Sequence, residues 1–464
     1  MTTAPPELDE QQALGRSLVG GSVVVMGAVA YALTVHWAYR EMIAPTFGYR
    51  GSTYRTPATD LYFYAIAIAA VMALCLPRKV ERPSSFVLWV LYIVAGAPSV
   101  LLGHYAGNLT PALAMETSIG VGGAFVLTIA LTRFFRIRRV PRWRPSSTTF
   151  WLLIGGFSVA VYAYLASTIG LQFQIVSLFD VYDVRDDYRE GLAAAGGVGG
   201  YLISWQANVL NPVIIARGAL QRRLLPILAG AFGQLLLFSA SGYKTMVMSL
   251  PALLIAAWIF NRNPTPRARV FLWGAAALPL FTMAVDHLSN SITWTSLLVR
   301  RFLVTPGRIT AEYVDFFDQH PKVHLSNSIL SPFIEYPYQR GYFRIIGEHV
   351  TGATNVSMNG NVFAHGYANA GWIGAFIAAV LLAVVLAAAD YAAQGLPAAV
   401  PALVLLMPAI TLSNSGLNTS LSSHGVALAV VVLALLPRDG WTPRPRTLLL
   451  RREPRPLPHS TASN

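Results

Sequence analysis

Apolar runs set the rhythm of this chain. Stretches such as "FVLWVLYIVAGAPSVLLG" and "WIGAFIAAVLLAVVLAAA" carry no charged residue, and an uninterrupted run of about 18 or more apolar residues is long enough to cross a bilayer as a helix. The pattern recurs at roughly 18–38, 60–76, 85–103, 111–132, 149–169, 198–216, 224–240, 245–260, 270–286, 371–389, 397–412 and 424–437. It predicts an all-α, polytopic membrane protein of about twelve spans in one domain, with both termini on one side. The first run lacks a small-residue cleavage site at its end, which predicts an anchor that stays. Two segments break the rhythm at length, 170–197 and 287–370. In the longer one, "TPGRITAEYVDFFDQHP" predicts a helix with Thr305 as cap, Pro306 in the first turn and His320-Pro321 as its stop. Ile309, Tyr313, Phe316 and Phe317 form one apolar face, with Arg308, Glu312, Asp315 and Asp318 elsewhere. Such a helix is expected to lie on the membrane surface or to cover a cavity.

Composition agrees with the pattern. Hydrophobic residues are 54% of the chain, charged ones 12%, and mean hydropathy is +0.50, which excludes an ordinary soluble globule. Charge placement then gives an orientation. With cytoplasmic termini, 22 of the 34 Lys and Arg fall on inner segments and 14 of the 21 acids fall outside or at outer span ends, the positive-inside pattern. Segments 170–197 and 287–370 are thereby expected outside, as the active face. The tail 438–464, rich in proline and arginine, is expected to be disordered beside the anionic inner leaflet. A single cysteine, Cys75, excludes an intrachain disulfide.

Candidate chemistry gathers in the outer segments. "VYDVRDDYREGLAAAGGVGG" holds Arg185 and Arg189, and the long segment holds Arg300, Arg301, Arg308, Lys322, Arg340 and Arg344. Ordinary solvated loop charges are the plain alternative for any one of them. As a set they point to phosphate, whose oxygens suit arginine forks. Only 38 residues separate Arg223 from Arg262, and two spans use about 20 each. Lys244, in "SASGYKT", is therefore expected at or just below the outer surface, to meet an anion or to snorkel. "SPFIEYPYQRGYFRIIGEH" places tyrosines and phenylalanines beside arginines, a combination that suits sugar rings and lipid interfaces alike. HExxH and cysteine ligand sets are missing, and Asp183, Asp186 and Asp187 have arginine neighbours that favour internal ion pairing. Phosphate-binding GxxxxGK[ST] and GxGxxG loops are missing too. No metal, no cofactor and no nucleic acid is expected.

Four stretches, in order, resemble the bacterial oligosaccharide repeat-unit (O-antigen) polymerases, a family of polytopic, GT-C-like glycosyltransferases. They are "DVYDVRDDYREG", with Arg185 and Gly196 in an arginine–ten residues–glycine pattern; "SASGYKT"; "RRFLVTPGRITAEYVDFFDQHP"; and "NGNVFAHGYANAGWIGAF", where a Gly-x-x-Gly opens the next span. The resemblance covers about residues 180–375. One departure is clear: none of Arg300, Arg301, Arg308, Arg340 and Arg344 is followed by glycine at that spacing. What the resemblance implies is transfer of a polyprenyl-pyrophosphate-linked glycan onto a second lipid-linked unit, on the outer face of the bacterial inner membrane. Its partners would be the lipid-linked donor and acceptor, membrane lipids and, in some systems, a chain-length regulator. The leaving pyrophosphate is assigned to Arg185, Arg189 and Lys244, with Arg300, Arg301 and Arg308 as second candidates. For the base the candidates are His365, Asp315, Glu335 and His349; for sugar contacts, Tyr336, Tyr338, Arg340 and Arg344. A ligase using another acceptor would share this scaffold. A transporter or flippase of lipid-linked glycans shares the span count, but would place its ionisable residues at the midplane between related halves.

Overall fold

The computed structural model describes residues 6–135, 144–168, 198–328 and 330–441, with side chains from 19 onward. Every named element among them is helical. Among the described residues, nine helices are long and apolar enough to cross a membrane: α1 (Val19–Arg50), α3 (Pro83–His104), α4 (Pro111–Phe134), α5 (Ser147–Thr168), α7 (Leu224–Ser241), α8 (Lys244–Arg262), α9 (Arg269–Leu288), α12 (Val362–Ala392) and α14 (Leu417–Leu435). Shorter apolar helices are α2 (Thr59–Cys75) and α13 (Ala399–Thr411). A further helix, α6, runs from Val198–Trp205 through a wide turn at Gln206–Leu210 into Asn211–Gln221. It is not among the nine, and it carries Gln206, Asn208 and Asn211. Gln206 and Asn211 are buried and bonded to Ser158, Tyr162 and Gln234 of α5 and α7. Two amphipathic helices, α10 (Thr305–Gln319) and α11 (Tyr342–Thr351), occupy the long interval before α12.

Apolar side chains such as Leu152, Leu153 and Val159 remain outward on α5, as expected where lipid is the solvent and each backbone group bonds within its own helix. Isolated backbone bridges define the two ends of the bundle. At one end Tyr54 pairs with Ala106, and at the other Lys79 pairs with Arg267.

Three boundaries differ from the expected ones. α1 continues to Arg50 instead of stopping near 38, because Arg40 and Glu41 pair on the outside at 3.1 Å while Tyr39 and Ile43 turn inward and are fully buried. A wide turn at Tyr39–Ile43 makes room for this. α12 begins at Val362, nine residues before the expected 371. Asn361 caps it by accepting from the Phe363 and Ala364 N–H groups, and a short first stretch runs to a kink at Ala370–Gly371, where the Gly-x-x-Gly pair Gly371 and Gly374 opens the long apolar part as expected. The tail begins as docked structure. Arg438 donates to the carbonyls of Ala392, Gln394, Leu433 and Leu436, and Trp441 is buried; residues 442–464 lie outside the described residues.

α10 does not lie on the membrane surface. Its residues from Pro306 to Val314 are all buried, including Arg308 and Glu312, so it is an interior element wedged against α3, α4 and α12. Thr305 does not cap it. Its hydroxyl donates back to the Arg300 carbonyl at 2.7 Å, and the chain enters from a wide-turned segment, Thr295–Val304. A buried polar knot ties three helices: Asn361 Nδ2 donates to Ser99 Oγ at 3.0 Å and Thr310 Oγ1 at 2.8 Å, and those hydroxyls bond each other at 2.8 Å. Contact is closest at Gly307, where a β-carbon would stand 2.4 Å from the Pro98 carbonyl carbon and oxygen. Gly307→Ala is therefore expected to push α10 off α3 and cost about 1–3 kcal/mol, seen as a lower thermal midpoint of the detergent-solubilised protein.

Candidate functional site

The entry into α10 and the end of α1 meet at one end of the bundle. α1 closes in a tight turn at Gly48–Arg50, and Gly51 follows at φ +74°, a conformation that favours glycine. Its carbonyl accepts from Arg308 Nη1 at 2.8 Å. Arg308 also meets Glu312, one turn on, at 3.4 Å, and both side chains are less than a tenth exposed. Burial pushes the Glu312 carboxyl up to about 7, against the pull of Arg308 and with Asp315 adding to the rise. Arg300 comes from the wide-turned segment. Its guanidinium lies 4.1 Å over the Phe47 ring and its Nε donates to Ser296 Oγ at 3.1 Å. Burial draws its pKa down to about 10, and the like charges of Arg301, Arg50 and Arg308 contribute. Four guanidiniums thus share one neighbourhood, with Glu312 paired to one of them.

A second group adjoins the first. Arg55 donates to the Gly103 and His104 carbonyls at 2.7 and 3.3 Å. Partial burial lowers its pKa, while the charge of Asp315 acts to raise it. Asp315 is half-buried; burial raises its pKa, with His349 and Arg55 opposing the rise and Asp318 adding to it. His349 is exposed and packs edge-on to Phe316, against which His320 also stacks at 4.1 Å.

Raised carboxyl pKa values carry a sign for stability. Between the ordinary Glu value of 4.5 and its folded value of about 7, the folded protein holds the proton that the unfolded chain releases. Stability contributed by Glu312 is therefore full below 4.5 and lost as pH rises to about 7. Thermal midpoints measured from pH 4.5 to 7.5 are expected to fall more steeply for the wild type than for Glu312→Gln. Parallel profiles would contradict this.

The other sequence candidates lie elsewhere. His365 is on the opposite face of α10 from the Arg308–Glu312 pair, its Nδ1 2.5 Å from the Tyr342 hydroxyl and its ring 5.5 Å from Tyr313. Gly416 admits it, since a β-carbon there would stand 3.1 Å from the imidazole. Tyr336 accepts from the Tyr342 N–H and donates to the Arg340 carbonyl, and Tyr338 donates to the Pro321 carbonyl. Both hydroxyls thus close the loop onto α10 and α11. Arg340 pairs with Glu348. Arg344 and Glu335 are exposed. Lys322 donates to the Phe317 carbonyl and sits 4.2 Å over the Tyr367 ring. Lys244 opens α8, which packs on α6, α7 and α13 and not on the arginine group; Met246, two residues on, is buried against Leu237 and Phe238. Arg185 and Arg189 lie outside the described residues.

The chain reasoning missed Arg50, Arg55 and Glu312. Arg50 was hidden because α1 was expected to stop at 38. Its signal is "GYRGS", an arginine before a glycine that ends a helix. Comparison of the chain with family models, with curated proteins and with solved structures yields no match.

Proposed function

We propose that this protein is a membrane glycan polymerase. It would move a polyprenyl-pyrophosphate-linked oligosaccharide onto a second lipid-linked unit, at the end of the bundle that carries α10 and α11. The observation that carries the reading is the group Arg50, Arg300, Arg301 and Arg308, three of them charged residues of the long interval and one from the end of α1. Such a group suits a departing diphosphate, on which negative charge develops as the sugar–oxygen bond breaks. In this reading the acceptor hydroxyl attacks the anomeric carbon, its proton passes to Asp315, and the electron pair of the broken bond leaves with the pyrophosphate. Asp315 is preferred over His365, Glu335 and His349 because it is half-buried, neighbours Arg55 and adjoins the arginine group through Glu312. Glu312 orients Arg308. Arg185 and Arg189 remain pyrophosphate candidates through the resemblance.

The full topology belongs to the same proposal. Twelve helices would cross the inner membrane with both termini cytoplasmic. Loops carrying Arg78, Lys79, Arg82, Arg262 and Arg267 meet at the end away from the arginine group, which supports that orientation by the positive-inside rule. The test is reconstitution into liposomes with a lipid-linked oligosaccharide, followed by gel and mass analysis. Products lengthened by whole repeat units are expected. Transport of the intact substrate across the bilayer without lengthening would overturn the proposal.

A further inference from the structure

The end of the bundle opposite the arginine group carries a cavity of about 400 Å³. Its rim is cationic: Arg78, Lys79 and Arg82 come from the α2–α3 connection and Arg133 from the last turn of α4. All four are exposed, and one acid among the lining residues, Glu81, stands 3.8 Å from Lys79. The floor is buried and mixed, with hydroxyls from Ser84, Ser85 and Thr132 beside the apolar Leu88 and Ile129. Ser84 is committed elsewhere, since its N–H and hydroxyl both donate to Asp390 at 2.8 and 2.7 Å. No protein group bonds the Ser85 hydroxyl among the described residues. Ser85 stands in the first turn of α3, whose neighbouring N–H groups are spoken for: Pro83 has none, Ser84 donates to Asp390 and Phe86 to the Arg82 carbonyl. Arg133 is held in place by donating to the Cys75 carbonyl at 2.5 Å, and Arg78 lies against Gly20 of α1. The helices that bring these cations also expose apolar side chains at the same ends, Leu74 at 40% and Phe134 at 80%.

We propose that this cavity binds the phosphate group of an anionic amphiphile, with the headgroup between the cations and the acyl chains along the apolar surface of α2 and α4. Several cations beside the Ser85 hydroxyl match phosphate oxygens, and the neighbouring apolar surface favours a lipid source over a soluble one. The site is independent of the glycan-transfer reading. Gly20 and Arg50 mark its distance from the arginine group, about 45 Å along α1 at 1.5 Å per residue.

The test uses the full-length protein in nanodiscs of phosphatidylcholine doped with phosphatidylglycerol, with retained lipid counted by native mass spectrometry. Phosphatidylglycerol is expected to be enriched on the protein. Lys79→Gln/Arg82→Gln is expected to weaken that enrichment about 30-fold, and the charge-preserving Lys79→Arg/Arg82→Lys to keep it, which separates lost binding from lost folding. Equal retention of the two lipids overturns the lipid assignment, and unchanged retention in the glutamine variant overturns the site. A parallel titration with inorganic phosphate, read as a thermal shift, distinguishes the source. A shift that the glutamine variant abolishes, without lipid enrichment, assigns the cavity to soluble phosphate and overturns the amphiphile.

Discussion

Elongation by the Arg300→Gln protein is expected to fall by about 10²–10³-fold, the usual effect of removing one donor aimed at developing negative charge. Arg300 suits this test better than Arg308, whose guanidinium is bound to Gly51 and Glu312 and is part of the interior. Arg300 is only half-buried, held by the Phe47 face and by Ser296. With its pKa drawn down to about 10, it stays charged at neutral pH. Glutamine keeps a donor and much of the stem, so the fold should persist. Arg300→Lys restores a point charge without the fork and is expected to fall between the two. The loss should appear in kcat more than in KM, because the charge it meets is largest as the bond breaks. Arg262→Gln, at the other end of the bundle, controls for general loss of charge. Wild-type elongation by Arg300→Gln would remove the arginine group from the reaction.

How much of this was legible beforehand depended on which physical signal each element carries. Helices in lipid announce themselves by uninterrupted apolarity, and every expected span within the described residues is helical. Their ends were misplaced where the signal changes. At Arg40 and Glu41 a charged pair interrupts the run although the helix continues, because the pair turns outward and Tyr39 inward. At Asn361 the cap serves a short stretch that the apolar signal does not mark, ahead of the kink at Ala370–Gly371. α10 was legible as a helix from its periodicity, but not as an interior one. Nothing local tells that Arg308 and Glu312 would be buried together; that depends on Gly307 meeting Pro98 and on Gly51 offering its carbonyl, contacts across more than 200 residues. The candidate site was legible in kind, as arginines of the long interval. Its composition was not, because Arg50 and Arg55 enter it from the far end of the chain, and Lys244, close to the arginines by topology alone, packs with a different set of helices.

Arg308→Met is expected to cost about 3–5 kcal/mol of stability at pH 8, the effect of leaving one charge of a buried pair uncompensated. At that pH Glu312, pushed up to about 7, is ionised, and both side chains are less than a tenth exposed. The double variant Arg308→Met/Glu312→Leu removes the stranded carboxylate. It should recover most of the loss, keeping a deficit of about 1–3 kcal/mol for the Gly51 carbonyl that Arg308 no longer satisfies. Thermal midpoints of the two single variants and the double variant, compared as a cycle, give the coupling between the residues. pH supplies an independent check. At pH 5.5 the carboxyl is protonated and no longer a stranded charge, so the penalty of Arg308→Met should shrink, while the double variant, which has no Glu312 to titrate, should itself change little in stability between the two pH values. Additive losses, or a penalty for Arg308→Met that does not change with pH, would mean that Glu312 does not depend on Arg308 for its place inside the protein. Glu312 would then have no part in holding Arg308 toward the other arginines.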